Sequence, residues 1–147
     1  MRSFLGMCDV YRRFVKDFAA TAAPLNRLLR KEAPDDLEDF NEEQTASFEK
    51  LKEKLVSSPV LALPRPDLPY VLETDANKDQ MGATLMQRYT DKTLRPIGYF
   101  SKTLNEHERN YDTTERECLA FIWAVLLLRP YLEGVKFTLR TDHDALA

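Results

Sequence analysis

Three carboxylates stand where chemistry is to be expected. Asp75 closes the run Tyr70-Val71-Leu72-Glu73-Thr74-Asp75, and Asp142 follows the run Val135 to Thr141. Glu117 lies just inside a long apolar segment that begins near Thr114. If the two runs are adjacent parallel strands, Asp75 and Asp142 share one edge of a sheet, and sites in such sheets collect at the carboxyl ends of strands. Clustered hard oxygen ligands suit Mg²⁺ or Mn²⁺. Two such ions side by side activate a water and stabilise the leaving oxygen of a phosphodiester. Each carboxylate also has a plainer use. An Asp at a strand end serves as a turn residue, and Glu117 completes Thr114-x-x-Glu117, a capping box. Glu115 competes with Glu117, because the first turn of a helix favours any carboxylate. His143 is either a solvated loop histidine or an accessory group beside the carboxylates, and His107, in Asn105-Glu106-His107-Glu108, faces solvent.

The elements that must position these groups are legible as periodicity. Phe4, Leu5, Met7, Cys8, Tyr11, Phe14, Val15 and Phe18 recur at three- and four-residue steps and predict a helical start. Pro24 predicts the first turn of a further short helix with Leu25, Leu28 and Leu29. Residues 32–43 are acidic and predict a solvated loop. Asn41 with Gln44 predicts a capping box at the head of a helix carrying Phe48, Leu51 and Leu55. The prolines of Val60-Leu61-Ala62-Leu63-Pro64-Arg65-Pro66 keep that segment extended and mark a junction. Beyond Pro69 the period shortens. Strands are expected at 70–75, 83–88 and 95–101, with Thr90-Asp91-Lys92 as a hairpin loop. A polar loop spans Asn105 to Asp112. The helix from Thr114 is apolar on most sides, which predicts burial on most sides. The order is helices, then β-β-β-α-β, so the fold class is α/β with a mixed sheet: a three-stranded meander and a crossover helix leading to a fourth strand parallel to the first.

Composition bounds the rest. The chain has 147 residues, 44% hydrophobic and 31% charged, with a formal net charge of -3, which excludes a strongly basic nucleic-acid sponge and wholesale disorder. No run approaches the roughly 18 apolar residues of a membrane span, and the start lacks the apolar core of a secretory signal. Cys8 and Cys118 sit far apart in apolar helical contexts, so they read as reduced packing residues of an intracellular protein, in cytoplasm or nucleus.

The contexts of the carboxylates carry a resemblance. Glu73-Thr74-Asp75-Ala76-Asn77 with Gly82-Ala83-Thr84-Leu85, then Pro96-Ile97-Gly98-Tyr99-Phe100-Ser101-Lys102, Glu108-Arg109-Asn110-Tyr111, Glu117-Cys118-Leu119-Ala120, Arg129-Pro130-Tyr131-Leu132-Glu133-Gly134 and Thr141-Asp142-His143 stand in fixed order. They resemble the ribonuclease H domain of gypsy-type LTR retrotransposon reverse transcriptases. The front half is similar to the family's thumb end and tether, through Phe4-Leu5-Gly6-Met7-Cys8, Tyr11-Arg12-Arg13-Phe14 and Phe48-Glu49-Lys50-Leu51-Lys52. The resemblance divides the chain into a helical thumb and tether, residues 1–65, and the N-terminal part of a ribonuclease H-like domain, residues 66–147. It implies that Asp75, Glu117 and Asp142 are metal-binding catalytic carboxylates. Two ions, Mg²⁺ or Mn²⁺, would be bridged by Asp75 and completed by the other two. The implied partners are an RNA–DNA hybrid, cleaved in its RNA strand and recognised by backbone geometry and 2′-hydroxyls, and the rest of a polymerase polyprotein. Arg88, Lys92 and Lys102 are the candidate phosphate contacts, and His143 the candidate accessory group.

The departures from the family pattern are specific. Gln80 stands where the family has Gly in a turn; a left-handed residue there would cost about 1 kcal/mol or force another turn shape. The tether lacks a Trp near Asn41. The family's last catalytic carboxylate belongs beyond Ala147, so this stretch alone is expected to bind metal weakly and hydrolyse slowly. The competing expectation is a catalytically inactive retroelement-derived binding module or relic. An unrelated acidic α/β adaptor is a third reading, disfavoured by the ordered motifs.

Overall fold

The computed structural model describes residues 2–29, 40–57 and 61–141. Helix α1 spans Arg2–Val10, a 3₁₀ turn spans Arg12–Phe14, α2 spans Phe18–Arg27 and α3 spans Glu42–Val56. Strands β1 (Tyr70–Ala76), β2 (Gln80–Arg88) and β3 (Leu94–Thr103) follow, then helices α4 (Glu106–Arg109), α5 (Thr113–Leu127) and α6 (Arg129–Leu132), and strand β4 (Phe137–Arg140). The sheet order is β3-β2-β1-β4. β1 is antiparallel to β2 and parallel to β4, and β2 is antiparallel to β3. The α/β class and the mixed β-β-β-α-β sheet expected from the pattern are therefore present. None of the described helices is long and apolar enough to cross a membrane.

The expected helical start is interrupted. Asp17 takes a left-handed conformation at φ 58° and its carbonyl receives the Thr21 N–H, so the chain turns between the 3₁₀ segment and α2. Pro24 does not begin a helix. It lies inside α2, where Phe18, Ala22 and Leu25 are all buried on the same core. A proline there removes one backbone bond and normally bends or ends a helix; α2 stops within a turn, at Leu28. Asn41 and Gln44 form the expected capping box, and Leu51 of α3 is wholly buried in the cluster that holds Leu25 and Cys8. Ser47 Oγ of α3 also donates to the Thr21 carbonyl of α2.

A second apolar cluster holds the sheet. Tyr70, Leu72, Ala83, Leu85 and Ile97 point to one face and meet Ala124, Leu128 and Leu132. Met81 and Leu104 meet Ala120 nearer the end of β1. The helix turns a stripe of Glu117, Ala120, Ala124 and Leu128 to the strands, the helical period that lets small residues bring helix and sheet close. Its opposite face is not covered by the described residues: Ile122 is 52% exposed and Leu126 68%. The expectation of burial on most sides fails because a one-layer sheet covers only one stripe of a helix.

The two halves meet at Ser101 of β3. Its hydroxyl accepts the buried N–H of Ala19 at 2.9 Å, and its carbonyl accepts from Arg12 Nη2 at 2.8 Å. The extended segment before β1 is held by Gln87, which is fully buried. Gln87 Oε1 accepts from Arg65 N at 2.9 Å, while Nε2 donates to the carbonyls of Arg65 at 2.7 Å and Leu68 at 3.1 Å. Gln87→Leu should lower stability by about 1–2 kcal/mol, less than a wholly buried network would lose because the Arg65 segment can rehydrate. Urea unfolding of the two proteins would measure it, and an unchanged midpoint would refute the clamp.

Candidate functional site

Asp75 occupies the exposed carboxyl end of β1, paired across the ladder with Gly82. Alternation along β1 turns Leu72 and Thr74 toward α5 and leaves Glu73 and Asp75 on the other face. There they border a recess with Asn77, Arg140, Lys16 and Asp17. The turn after β1 is built by Asn77, whose Oδ1 accepts the N–H groups of Asp79 at 2.9 Å and Gln80 at 3.0 Å. Gln80 opens β2 and is not left-handed: positive φ among the described residues occurs at Asp17, Lys92 and Gly134. The turn has taken the other shape open to it, so Gln80 carries no left-handed backbone cost.

Glu117 reaches the same strand end from the α5 side. It is 4% exposed, and its Oε1 accepts the Ala76 N–H at 3.0 Å. The capping box of α5 is not Thr114 with Glu117 but Asp112 with Glu115: Asp112 Oδ1 accepts Glu115 N at 2.8 Å and Glu115 Oε2 accepts Asp112 N at 2.9 Å. A small shift in the start of the helix decides the roles. Glu115 is consumed by the cap, and Glu117 is left to face the strands. Asp75 and Glu117 thus converge on adjacent backbone positions, 75 and 76, from opposite faces of the sheet.

The parallel ladder carries the fourth strand to the same edge. Its described part runs to Glu73 opposite Arg140, and the two side chains pair at 2.7 Å. Asp142 and His143 lie outside the described residues. Among the described residues no group of three His, Cys, Asp or Glu side chains forms a metal site. Sequence reasoning misses the Glu73–Arg140 pair, although a signal for it exists. The two residues carry opposite charges near the ends of two strands expected to be parallel neighbours.

The candidate phosphate contacts separate. Arg88 ends β2 beside Gln87, which pairs with Tyr70 at the opposite end of β1 from Asp75. The five steps from Gly82 to Gln87 correspond to roughly 17 Å of strand. Lys92 lies farther still, in the hairpin turn at φ 65°. Lys102 is at the Asp75 end, opposite Met81, but its Nζ sits 2.7 Å from Glu108 Oε1. That ammonium, with the Asn105 N–H, holds the Glu108 carboxyl below the usual carboxylate range. The capping box of Asn105 and Glu108 gives the expected polar loop a short helix, α4. His107 lies in that helix.

The comparisons with known proteins agree with this geometry. Residues 40–139 match the family described as the RNase H-like domain found in reverse transcriptase. The chain is 38% identical over 146 residues to the retrovirus-related Pol polyprotein from transposon 297 of Drosophila melanogaster, covering 99% of this chain and 13% of that protein. It is 40% identical over 157 residues to the corresponding polyprotein from transposon gypsy of Drosophila melanogaster, covering 99% of this chain and 15% of that one. It therefore spans less than a sixth of these relatives. The structure of the foamy viral protease-reverse transcriptase in complex with RNA/DNA hybrid superposes with a TM-score of 0.77 at 20% identity, over 97% of this chain and 19% of that chain. With a mixed sheet, a crossover helix and a match over most of its length, the chain belongs to the family of RNase H-like domains found in reverse transcriptases.

Proposed function

We propose that the chain is the part of a retrotransposon Pol polyprotein that runs from the thumb end and tether, residues 1–65, into a ribonuclease H domain, residues 66–147. In the whole protein this domain would hydrolyse the RNA strand of an RNA–DNA hybrid. The observation that carries the reading is the placement of Glu117: a buried carboxylate on the Ala76 N–H, one residue from Asp75, while Glu115 with Asp112 serves the helix cap. Separate apolar clusters for the helices and for the sheet support the division into two parts. Two free cysteines support an intracellular setting.

Asp75, Glu117 and Asp142 are the residues that would hold two ions, Mg²⁺ or Mn²⁺. Bound ions would supply Lewis acidity and a water of lowered pKa. Asp75, exposed on the recess face, is open to substrate. Glu117, packed between helix and strand, is fixed in orientation by the Ala76 N–H. The Glu73–Arg140 pair ties β1 to β4. The hybrid would be gripped through its backbone and 2′-hydroxyls rather than by base sequence.

The test is incubation of the purified chain, and of the chain extended by its downstream polyprotein sequence, with end-labelled RNA–DNA hybrid and Mg²⁺ or Mn²⁺. RNA-strand products from the extended chain support the hydrolase. Binding without any product from either form would replace it with a non-catalytic binding module.

A further inference from the structure

We infer that Lys16, Lys50 and Lys54 form a phosphate-binding cluster that holds the backbone of a nucleic-acid duplex beside the Asp75 recess. The inference rests on the hybrid-binding reading above and names the residues of the helical half that would serve it.

The argument starts from the turn at Asp17. Its left-handed backbone, which Asp tolerates better than most residues, redirects the chain between the 3₁₀ segment and α2. Lys16 and Asp17 consequently line the same recess as Glu73, Asp75 and Arg140, although they belong to the helical half. The last turn of α3 is fastened to this corner, because Lys54 Nζ donates to the Lys16 carbonyl at 2.7 Å. Lys50 lies one helical turn earlier on α3, on the same face as Lys54.

Charge at this corner is unbalanced. Burial pushes the Lys54 ammonium below its usual pKa; Asp17 opposes this, and Lys50 and Lys16 add to it. Lys16 and Lys50 thus each lie within electrostatic reach of Lys54, where Asp17 is the opposing charge. Among the described residues neither Lys16 nor Lys50 forms an ion pair with a carboxylate. Other cations nearby do: Lys52 pairs with Glu49, Arg140 with Glu73 and Arg27 with Glu43. Like charges gathered at one corner raise the energy of the free protein and lower it when a polyanion arrives. A duplex backbone is the occupant that suits the place, since the recess itself presents Glu73 and Asp75, and phosphates beside them need cations to offset that repulsion. The contact is to backbone, so it predicts no preference in base sequence.

The experiment is a fluorescence anisotropy titration of the chain against a labelled RNA–DNA hybrid, in EDTA, across a series of salt concentrations. The double variant Lys16→Ala/Lys50→Ala keeps the Lys54 hydrogen bond. It should bind about tenfold more weakly at low salt. It should also lower the slope of log affinity against log salt by about 1.4–1.8, at roughly 0.7–0.9 for each phosphate left without its cation. Lys52→Ala, paired on its own helix, should change neither. The single reversals Lys16→Glu and Lys50→Glu, both at exposed positions, carry the test if the double variant melts early. Parent-like affinity and slope in the folded variants would overturn the cluster and leave the hybrid reading standing. A parent chain that binds no duplex at low salt would overturn both.

Discussion

Asp75→Asn should lower metal-dependent cleavage of the hybrid at least 100-fold while leaving the melting temperature within a degree or two of the parent. The two halves of this expectation have different sources. A carboxylate ligand to a catalytic cation is worth several kcal/mol in the transition state, and each 1.36 kcal/mol is tenfold in rate. Asparagine keeps the size and one oxygen but removes the charge. The folded state has little to lose, because Asp75 is exposed at a strand end, and substitutions at such positions usually stay within about 0.5 kcal/mol. The measurements are single-turnover cleavage by the extended chain and a thermal melt of the same preparation. Parent-like cleavage in the variant would remove Asp75 from the catalytic set; a large drop in melting temperature would assign it to the fold instead.

Glu117 should behave in the opposite sense, because it serves the fold and, in the proposed function, also the site. Its carboxylate is nearly inaccessible and accepts the Ala76 N–H. Glu117→Ala deletes the acceptor and opens space between α5 and β1. An orphaned donor costs about 1–3 kcal/mol, and truncation of the packed side chain adds a cavity term. Glu117→Gln retains an oxygen acceptor and nearly the same volume while discarding a charge that is expensive to bury. Glutamine should therefore be at least as stable as the parent and about 2 kcal/mol more stable than alanine, a difference of roughly 5–10 °C in melting temperature for a domain of this size. Both variants should lose binding of Mn²⁺ as followed by titration calorimetry. An alanine variant that melts with the glutamine one would show that the Ala76 hydrogen bond contributes nothing. Undiminished Mn²⁺ binding in the glutamine variant would exclude Glu117 as a ligand.

Much of the fold is legible in the sequence because its signals are short-range. The strands announce themselves by alternation, and the meander by a hairpin loop that the structure closes at Lys92. Asn41 with Gln44 is a cap that needs only three residues of context, and it forms as expected. The same logic misleads where two readings lie within one or two residues. Thr114-x-x-Glu117 and Asp112-x-x-Glu115 are equally good boxes on paper, and only the docking of α5 selects the second. Proline suits a first turn, so Pro24 suggests a helix start; burial of Phe18, Ala22 and Leu25 on one core holds it inside α2 instead. Leu126 and Ile122 suggest burial because composition cannot say how many layers a domain has.

The amino-acid sequence by itself determined the order of elements and the cap at Asn41, since these depend on contacts within a few residues along the chain. The tertiary structure decided which carboxylate caps α5, which one meets the end of β1, and which basic residues lie nearby. It separated Arg88 and Lys92 from Asp75, tied Lys102 to Glu108, and brought Lys16 to the recess and Lys54 to Lys16 across 38 positions of chain. The physical reason is that propensity and capping are local free energies. The meeting of Glu117 with Ala76, 41 positions away, depends on the register of a sheet and the packing of a helix upon it, and neither is encoded in any single stretch.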